Sequence, residues 1–245
     1  MDTVKFKKSN DVLVVAHRGL SGLETENTAS AFVAAGNRSY FGIETDIHVT
    51  SDDKFVVIHD DTTERVAKIT VNVEEKTLEE LQSVVLKDLR AGKSDADYKR
   101  VDLRMPTLAD YVGICRKYNK KCVLELKNPF SEKDIKALLS QIDSMGYTEN
   151  MIFISFCLEN LIIMRGMSKD LKLQYLVSEF GDKVMQALDK YNLDLDIYYA
   201  NLDKAIIDRV HQSGHKVNCW TCDDEKAAEK LSAWGVDFIT SNILE

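Results

Sequence analysis

Nine short apolar runs alternate with capped amphipathic segments, and this pattern predicts an α/β chain folded as a TIM (β/α)8 barrel with a small insertion after strand 2. Two further observations support that class. Only residues 48–54 separate the second and third runs, and a parallel crossover needs about a dozen residues. The third run must therefore return antiparallel, which leaves eight runs for parallel βα units. Polar residues also sit at the C-terminal ends of several runs, where barrels of this kind collect their chemistry. All 245 residues read as a single domain, with the insertion at about 48–105.

The elements follow in order. Strands are expected at 12–16, 41–47, 55–58, 122–126, 151–156, 171–177, 196–200, 216–221 and 238–240. An Ala-rich helix is expected over 27–37, and a shorter one, inside the insertion, over 78–86. Thr107 with Asp110, and Ser131 with Asp134, have the spacing of capping boxes with Asp in place of Glu. Val184, Leu188 and Tyr191 keep helical spacing, as do Ile206 with Val210 and the stretch 227–234. Gly146, Gly214 and Gly235 fall where helix C-caps belong. A full eighth helix has no room after the last strand, so the N-terminal residues are the candidate cover for that flank.

Composition narrows the function classes. The net charge of −8 repels nucleic acid and anionic lipid at long range, so neither is an expected partner. No apolar run is long enough to span or anchor in a bilayer, and the N-terminus carries no leader pattern. No stable membrane insertion and a cytoplasmic location are therefore expected. Five cysteines do not make a secreted disulfide framework. Cys219 and Cys222 have redox spacing, but they lie in a strand-like run and read as packing.

The charged residues inside apolar runs carry the chemistry. Glu44, Asp46 and His48 repeat every two residues and share a strand face, as do Glu125 and Lys127. Three carboxylates converging at a barrel mouth repel one another unless a cation relieves them. An all-oxygen set suits Mg2+ or Ca2+. The alternative is plain ion pairing of Glu44 and Glu125 with Arg18 and Lys127. His17 and His59 each end a run, and an imidazole pair can take one proton while giving another. Phosphoester cleavage needs such a pair, with Arg18 and Lys127 neutralising phosphoryl oxygens. His48 reads as a supporting or turn residue, Ser155 and Phe156 as structural, and His211 and His215 as surface or capping groups. Trp220 reads either as barrel core or as a wall of the substrate site.

At these residues the sequence resembles the glycerophosphodiester phosphodiesterase family, nearly end to end. The anchors are His17-Arg18-Gly19, Glu26-Asn27-Thr28, Gly42-Ile43-Glu44-Thr45-Asp46, Val57-Ile58-His59-Asp60, Pro106-Thr107-Leu108, Leu124-Glu125-Leu126-Lys127, Val217-Asn218-Cys219-Trp220-Thr221 and Gly235-Val236-Asp237. The resemblance implies a TIM barrel that hydrolyses glycerophosphodiesters to sn-glycerol 3-phosphate and an alcohol with a divalent cation. It implies His17 and His59 as the general acid and base, and Glu44, Asp46 and Glu125 as metal ligands. Arg18 and Lys127 would contact phosphate and Trp220 would flank the glycerol. It also implies attack by the glycerol 2-hydroxyl through a cyclic phosphate. Two departures stand out: Thr25 replaces the proline usual before Glu-Asn-Thr, and residues 65–68 run on without the usual glycine-rich turn. Lys68 in that stretch reads as an exposed lysine.

Four readings compete. The leading one is a metal-dependent phosphodiesterase acting on a small-molecule glycerophosphodiester. A phospholipase-type enzyme of the same superfamily would act on lipid in vesicles. A barrel lyase or aldolase would use Lys127 as a Schiff-base amine and form a reducible adduct. A non-catalytic phosphoester-binding barrel would bind without turnover.

Overall fold

The computed structural model describes residues 2–88 and 100–245. Residues 89–99 of the expected insertion lie outside the described residues. The expected runs become β1 (Leu13–Ala16), β2 (Gly42–Val49), β3 (Phe55–Val57), β4 (Lys121–Leu126), β5 (Met151–Ser155), β6 (Lys172–Val177), β7 (Asp194–Tyr198), β8 (Val217–Trp220) and β9 (Phe238–Ser241). β1 pairs in parallel with both β2 and β9, which closes the barrel in the order β1-β2-β4-β5-β6-β7-β8-β9. β3 runs antiparallel to β2, with Val49 opposite Phe55, and lies outside the closed ring. The hairpin expectation thus follows the chain: a connection this short has no other way back.

β7 begins and ends two residues earlier than its expected span. Asp194 starts it by accepting a hydrogen bond from the Lys216 amide, and residues 199–201 turn into a short 3-10 helix. Polar Asp194 concealed the start, and apolar Tyr199 and Ala200 mimicked a continuation.

Helices α1 (Ala29–Gly36), α2 (Leu78–Ser83), α3 (Leu108–Lys117), α4 (Glu132–Ser144), α5 (Leu158–Met167), α6 (Asp182–Tyr191), α7 (Lys204–Gln212) and α8 (Glu225–Trp234) complete the described elements. Both expected capping boxes form: Thr107 accepts from the Asp110 amide and Ser131 from the Asp134 amide, and each Asp reaches back to the cap. α2 is shorter than expected and carries a third box, Thr77 with Glu80.

Apolar side chains divide by the two-residue strand repeat. One set faces outward against the helices and forms the main core, including Ile43, Ile47, Leu124, Leu126, Phe153 and Ile239. A smaller set, Val15, Val123, Ile152, Ile154 and Leu176, fills the barrel interior. The segment between β2 and α3 has its own apolar cluster around Val56, Val73, Leu81 and Met105.

The N-terminal residues cover the flank that lacks a helix. Phe6 and Val12 are buried in the main core, Val4 bridges Leu244, and Ser9 and Asn10 bond Ser232 on α8.

Candidate active site

Strand parity directs alternate side chains into the barrel mouth. On β2 these are Glu44 and Asp46, and on β4 Glu125, which lies directly opposite Asp46 in the pairing register. One carboxylate oxygen from each of the three lies within 4.8 Å of the others, and all three residues are buried. The neighbouring pocket is lined by His17, Arg18, Glu44, His59, Glu125, Lys127 and Trp220, among others. The structure thus brings all eight residues singled out in the sequence to one place.

The backbone at the end of β1 is shaped for this. Arg18 and Gly19 both have positive φ, 53° and 76°. A Cβ on residue 19 would come 2.7 Å from backbone and side-chain carbon of Ala31, so only glycine fits. The turn aims the Arg18 amide at Glu44, to which it donates at 2.7 Å. Asn27, also at positive φ, donates to Asp46 at 2.8 Å, and its own carbonyl accepts from Thr45. Both carboxylates are therefore oriented by short-range hydrogen bonds.

The charges are unequally balanced. Arg18 Nε lies 3.6 Å and Lys127 Nζ 3.5 Å from Asp46. Burial favours the protonated form of Asp46, but Arg18, Lys127 and His59 outweigh it and hold this carboxyl well below its usual range. Glu44 moves the other way: burial, then the charges of Asp46 and Glu125, push it well above its usual value. Burial and Asp46 likewise raise Glu125 to about 7, although Lys127 donates to it at 2.8 Å. Three carboxyls share two cations, so simple ion pairing leaves the cluster short of positive charge. Asp46 Oδ1 is buried, accepts no hydrogen bond and meets Lys127 Nζ only at ion-pair distance, 3.5 Å. An all-oxygen donor set of three buried carboxylates with so little hydrogen bonding at its centre fits a hard divalent cation.

Each imidazole is tied back through Nδ1. His17 Nδ1 lies 2.8 Å from Asn242 Oδ1, and the Asn242 side-chain amide is committed to donating to Asp223. Asn242 Oδ1 therefore accepts, which places the proton on His17 Nδ1 and leaves Nε2 for the pocket. His59 Nδ1 lies 2.6 Å from Asp60, which fixes the same tautomer. Burial, then the Arg18 charge, lower His17 to about 4, so its free nitrogen stays unprotonated near neutrality. Burial is also the leading cause of a lowered His59.

Asp60 is held in turn by Arg65, which also forms a two-pronged pair with Glu26, and Glu26 binds Arg18. The glycine-free turn thus supplies a cation that connects His59 to Arg18. Asp60, Glu26 and Asn27 stand in the motifs given above and Asn242 in none of them, and nothing in the sequence alone assigns any of the four these partners. His48 is fully buried and lies 3.2 Å from both the His59 carbonyl and Glu74, as a supporting residue. Lys68 is exposed and does not line the pocket.

Three readings change. Phe156 lines the pocket and meets Trp220 edge-on at 5.4 Å. His215 is buried, bonded to Asp189. Trp220 packs on the barrel-interior cluster and also lines the pocket, so it is both core and wall. Ser155 is structural as expected, bonding the Leu126 carbonyl and Asn160. Cys219 and Cys222 are free, buried thiols.

The model of the glycerophosphoryl diester phosphodiesterase family matches residues 17–244. The chain belongs to this family. Its activity is the hydrolysis of glycerophosphodiesters. It is 30% identical to a glycerophosphodiester phosphodiesterase of Caldanaerobacter subterraneus subsp. tengcongensis, over 94% of this chain and 93% of that one. The protein YhdW of Bacillus subtilis is also 30% identical, over 94% of this chain and 93% of its own length. Among solved structures, an Oleispira antarctica phosphodiesterase in complex with the product sn-glycerol 3-phosphate shares the fold. Its TM-score is 0.83 at 24% identity, covering 94% of this chain and 93% of that one. No helix among the described residues is long and apolar enough to cross a membrane.

Proposed function

We propose that this enzyme cleaves small glycerophosphodiesters to sn-glycerol 3-phosphate and an alcohol, with His17 and His59 as the general acid–base pair. The observation that carries this reading is two imidazoles, each anchored at Nδ1, lining one pocket beside a buried acidic cluster. Breaking the ester needs one proton removed from the attacking hydroxyl and one delivered to the departing alkoxide. Two fixed Nε2 atoms can divide those tasks.

Arg18 and Lys127 would neutralise the phosphoryl oxygens, and Trp220 would wall the glycerol. Glu44, Asp46 and Glu125 would hold a Mg2+ or Ca2+ ion. Bound there, such an ion supplies positive charge to the phosphoryl group and lowers the cost of the developing negative charge. The chain's own residues orient Glu44 and Asp46, bury Asp46 and hold both imidazoles by Nδ1. The product found on the Oleispira antarctica protein supports a small ligand for this pocket as well.

The test is glycerol 3-phosphate release from a panel of glycerophosphodiesters, with chelator added and then Mg2+ or Ca2+ restored. Release that stops with chelator and returns with one cation is expected. Undiminished release in excess chelator would remove the cation from the reading, and no release from any diester would remove the substrate class.

A further inference from the structure

The barrel interior holds a second polar group, on the wall facing the acidic cluster, that the proposed mechanism does not use. In the closed strand order, β7 lies four strands from β2 in either direction, and β8 four strands from β4. The register sets Asp196 on β7 opposite Asn218 on β8 and Leu176 on β6. Asn218 donates at 3.1 Å to Asp196 Oδ2 and to Gln174, and accepts from Thr240 at 3.2 Å. Four neighbouring strands therefore contribute one connected polar row, where barrels ordinarily place branched apolar side chains.

That row ends in an unmet group. Asp196 is 1% exposed and lines the pocket, and its Oδ1 has no hydrogen-bond partner. Trp220, on the adjacent strand and in the same pocket, has a buried and equally unpartnered indole Nε1. Buried polar atoms of this kind are costly unless something meets them. Burial, then the charge of Glu125, push the Asp196 carboxyl well above its usual value. With Oδ2 already accepting from Asn218, Oδ1 is the oxygen left to face a ligand hydroxyl.

Depth selects which part of the substrate arrives there. Phe156, which lines the pocket, and Tyr198 beside it are exposed, at 43% and 38%, and both pack on Trp220. An alcohol that varies between substrates suits that open side, and a glycerol common to every substrate of the class suits the buried one. We propose that Asp196 is a specificity-determining residue whose free oxygen hydrogen-bonds the terminal hydroxyl of the glycerol moiety, on the wall opposite the acidic cluster.

This rests on the diesterase reading, and the experiment separates the two. Two esters are compared: glycerophosphocholine and its 2-hydroxypropyl analogue, which keeps the hydroxyl next to the ester carbon and lacks only the terminal one. A site built to bond a hydroxyl penalises the analogue that lacks it, and a loss of about tenfold or more in kcat/KM is expected for the wild-type enzyme. Asp196→Val should lose about tenfold on glycerophosphocholine while staying within about threefold of wild type on the analogue, so that discrimination disappears. Asp196→Asn, which offers an amide donor in the same place, should keep most of it.

Equal turnover of both esters by the wild type overturns the assignment without any variant, whether or not Asp196→Val folds. Equal losses on both esters in Asp196→Val would make the residue structural and overturn it too. If the panel shows another head group to be the one cleaved, the same pair of esters is made with that head group; a wild-type enzyme that cleaves no glycerophosphodiester of the panel defeats the diesterase reading, and the Asp196 assignment falls with it.

Discussion

Individual side chains decide the chemistry through their immediate partners. Glu44 shows this most directly. Its folded-state carboxyl is raised above the ordinary value of 4.5, so the folded chain holds that proton more tightly than the unfolded chain does. As pH rises above 4.5 the unfolded state ionises first, and the cation-free protein loses the corresponding stability. Glu44→Gln removes that cost and keeps an oxygen for the Arg18 amide. In chelator at pH 7 the variant should melt no lower than wild type. Added Mg2+ or Ca2+ should raise the wild-type Tm by linkage and leave the variant nearly unmoved. A variant whose Tm climbs with the cation as far as wild type's would contradict a ligand role for Glu44. For the imidazoles, His17→Ala and His59→Ala should each lower kcat by about 10²–10⁴ in steady-state assays. Near-full activity in His59→Ala would leave the reaction class standing and the acid–base assignment refuted.

The elements explain why so much of this was legible before any coordinates. A parallel strand buried on both faces tolerates a charge only where chemistry or a partner requires it, so Glu44, Asp46 and Glu125 announce themselves within apolar runs. The same rule, applied to β7, points to Asp196, which the misplaced start of that strand concealed. Asn242 and Asp60 are less accessible to such reasoning. Their roles depend on which ring nitrogen they meet across long sequence separation, and no periodicity encodes that. The tight turn after β1 is an intermediate case: His17-Arg18-Gly19 marks it, but the reason for glycine is contact with α1. Gly19→Ala should cost about 1–3 kcal/mol, through positive φ and the collision with Ala31, as measured by urea denaturation. It should also lower activity, because the same turn aims the Arg18 amide at Glu44. A Gly19→Ala enzyme as stable as wild type would mean that the turn relaxes without penalty.

For the molecule as a whole, the closed ring fixes the distance between the two walls of the site, and anything that loosens closure should loosen both. β1 is the closing strand, held by β2 on one side and β9 on the other. Helices stand outside most of the ring, but the flank beside β9 is covered by the N-terminal residues instead. Phe6 is 8% exposed there, packed into the main core, and the neighbouring backbone bonds α8 through Ser232. Removing a buried aromatic ring costs about 3–5 kcal/mol, from lost burial together with the cavity left behind. Phe6→Ala should therefore lower the urea midpoint by an amount equivalent to about 3 kcal/mol. Phe6 is not among the residues that line the pocket, so kcat measured well below the new transition should stay within about threefold of wild type. Stability would then fall while turnover holds, which is the signature of a cover rather than a catalytic part. If Phe6→Ala instead left the midpoint unchanged, the N-terminal residues would be resting on a barrel that closes without them, and the register between β1 and β9 would alone account for closure.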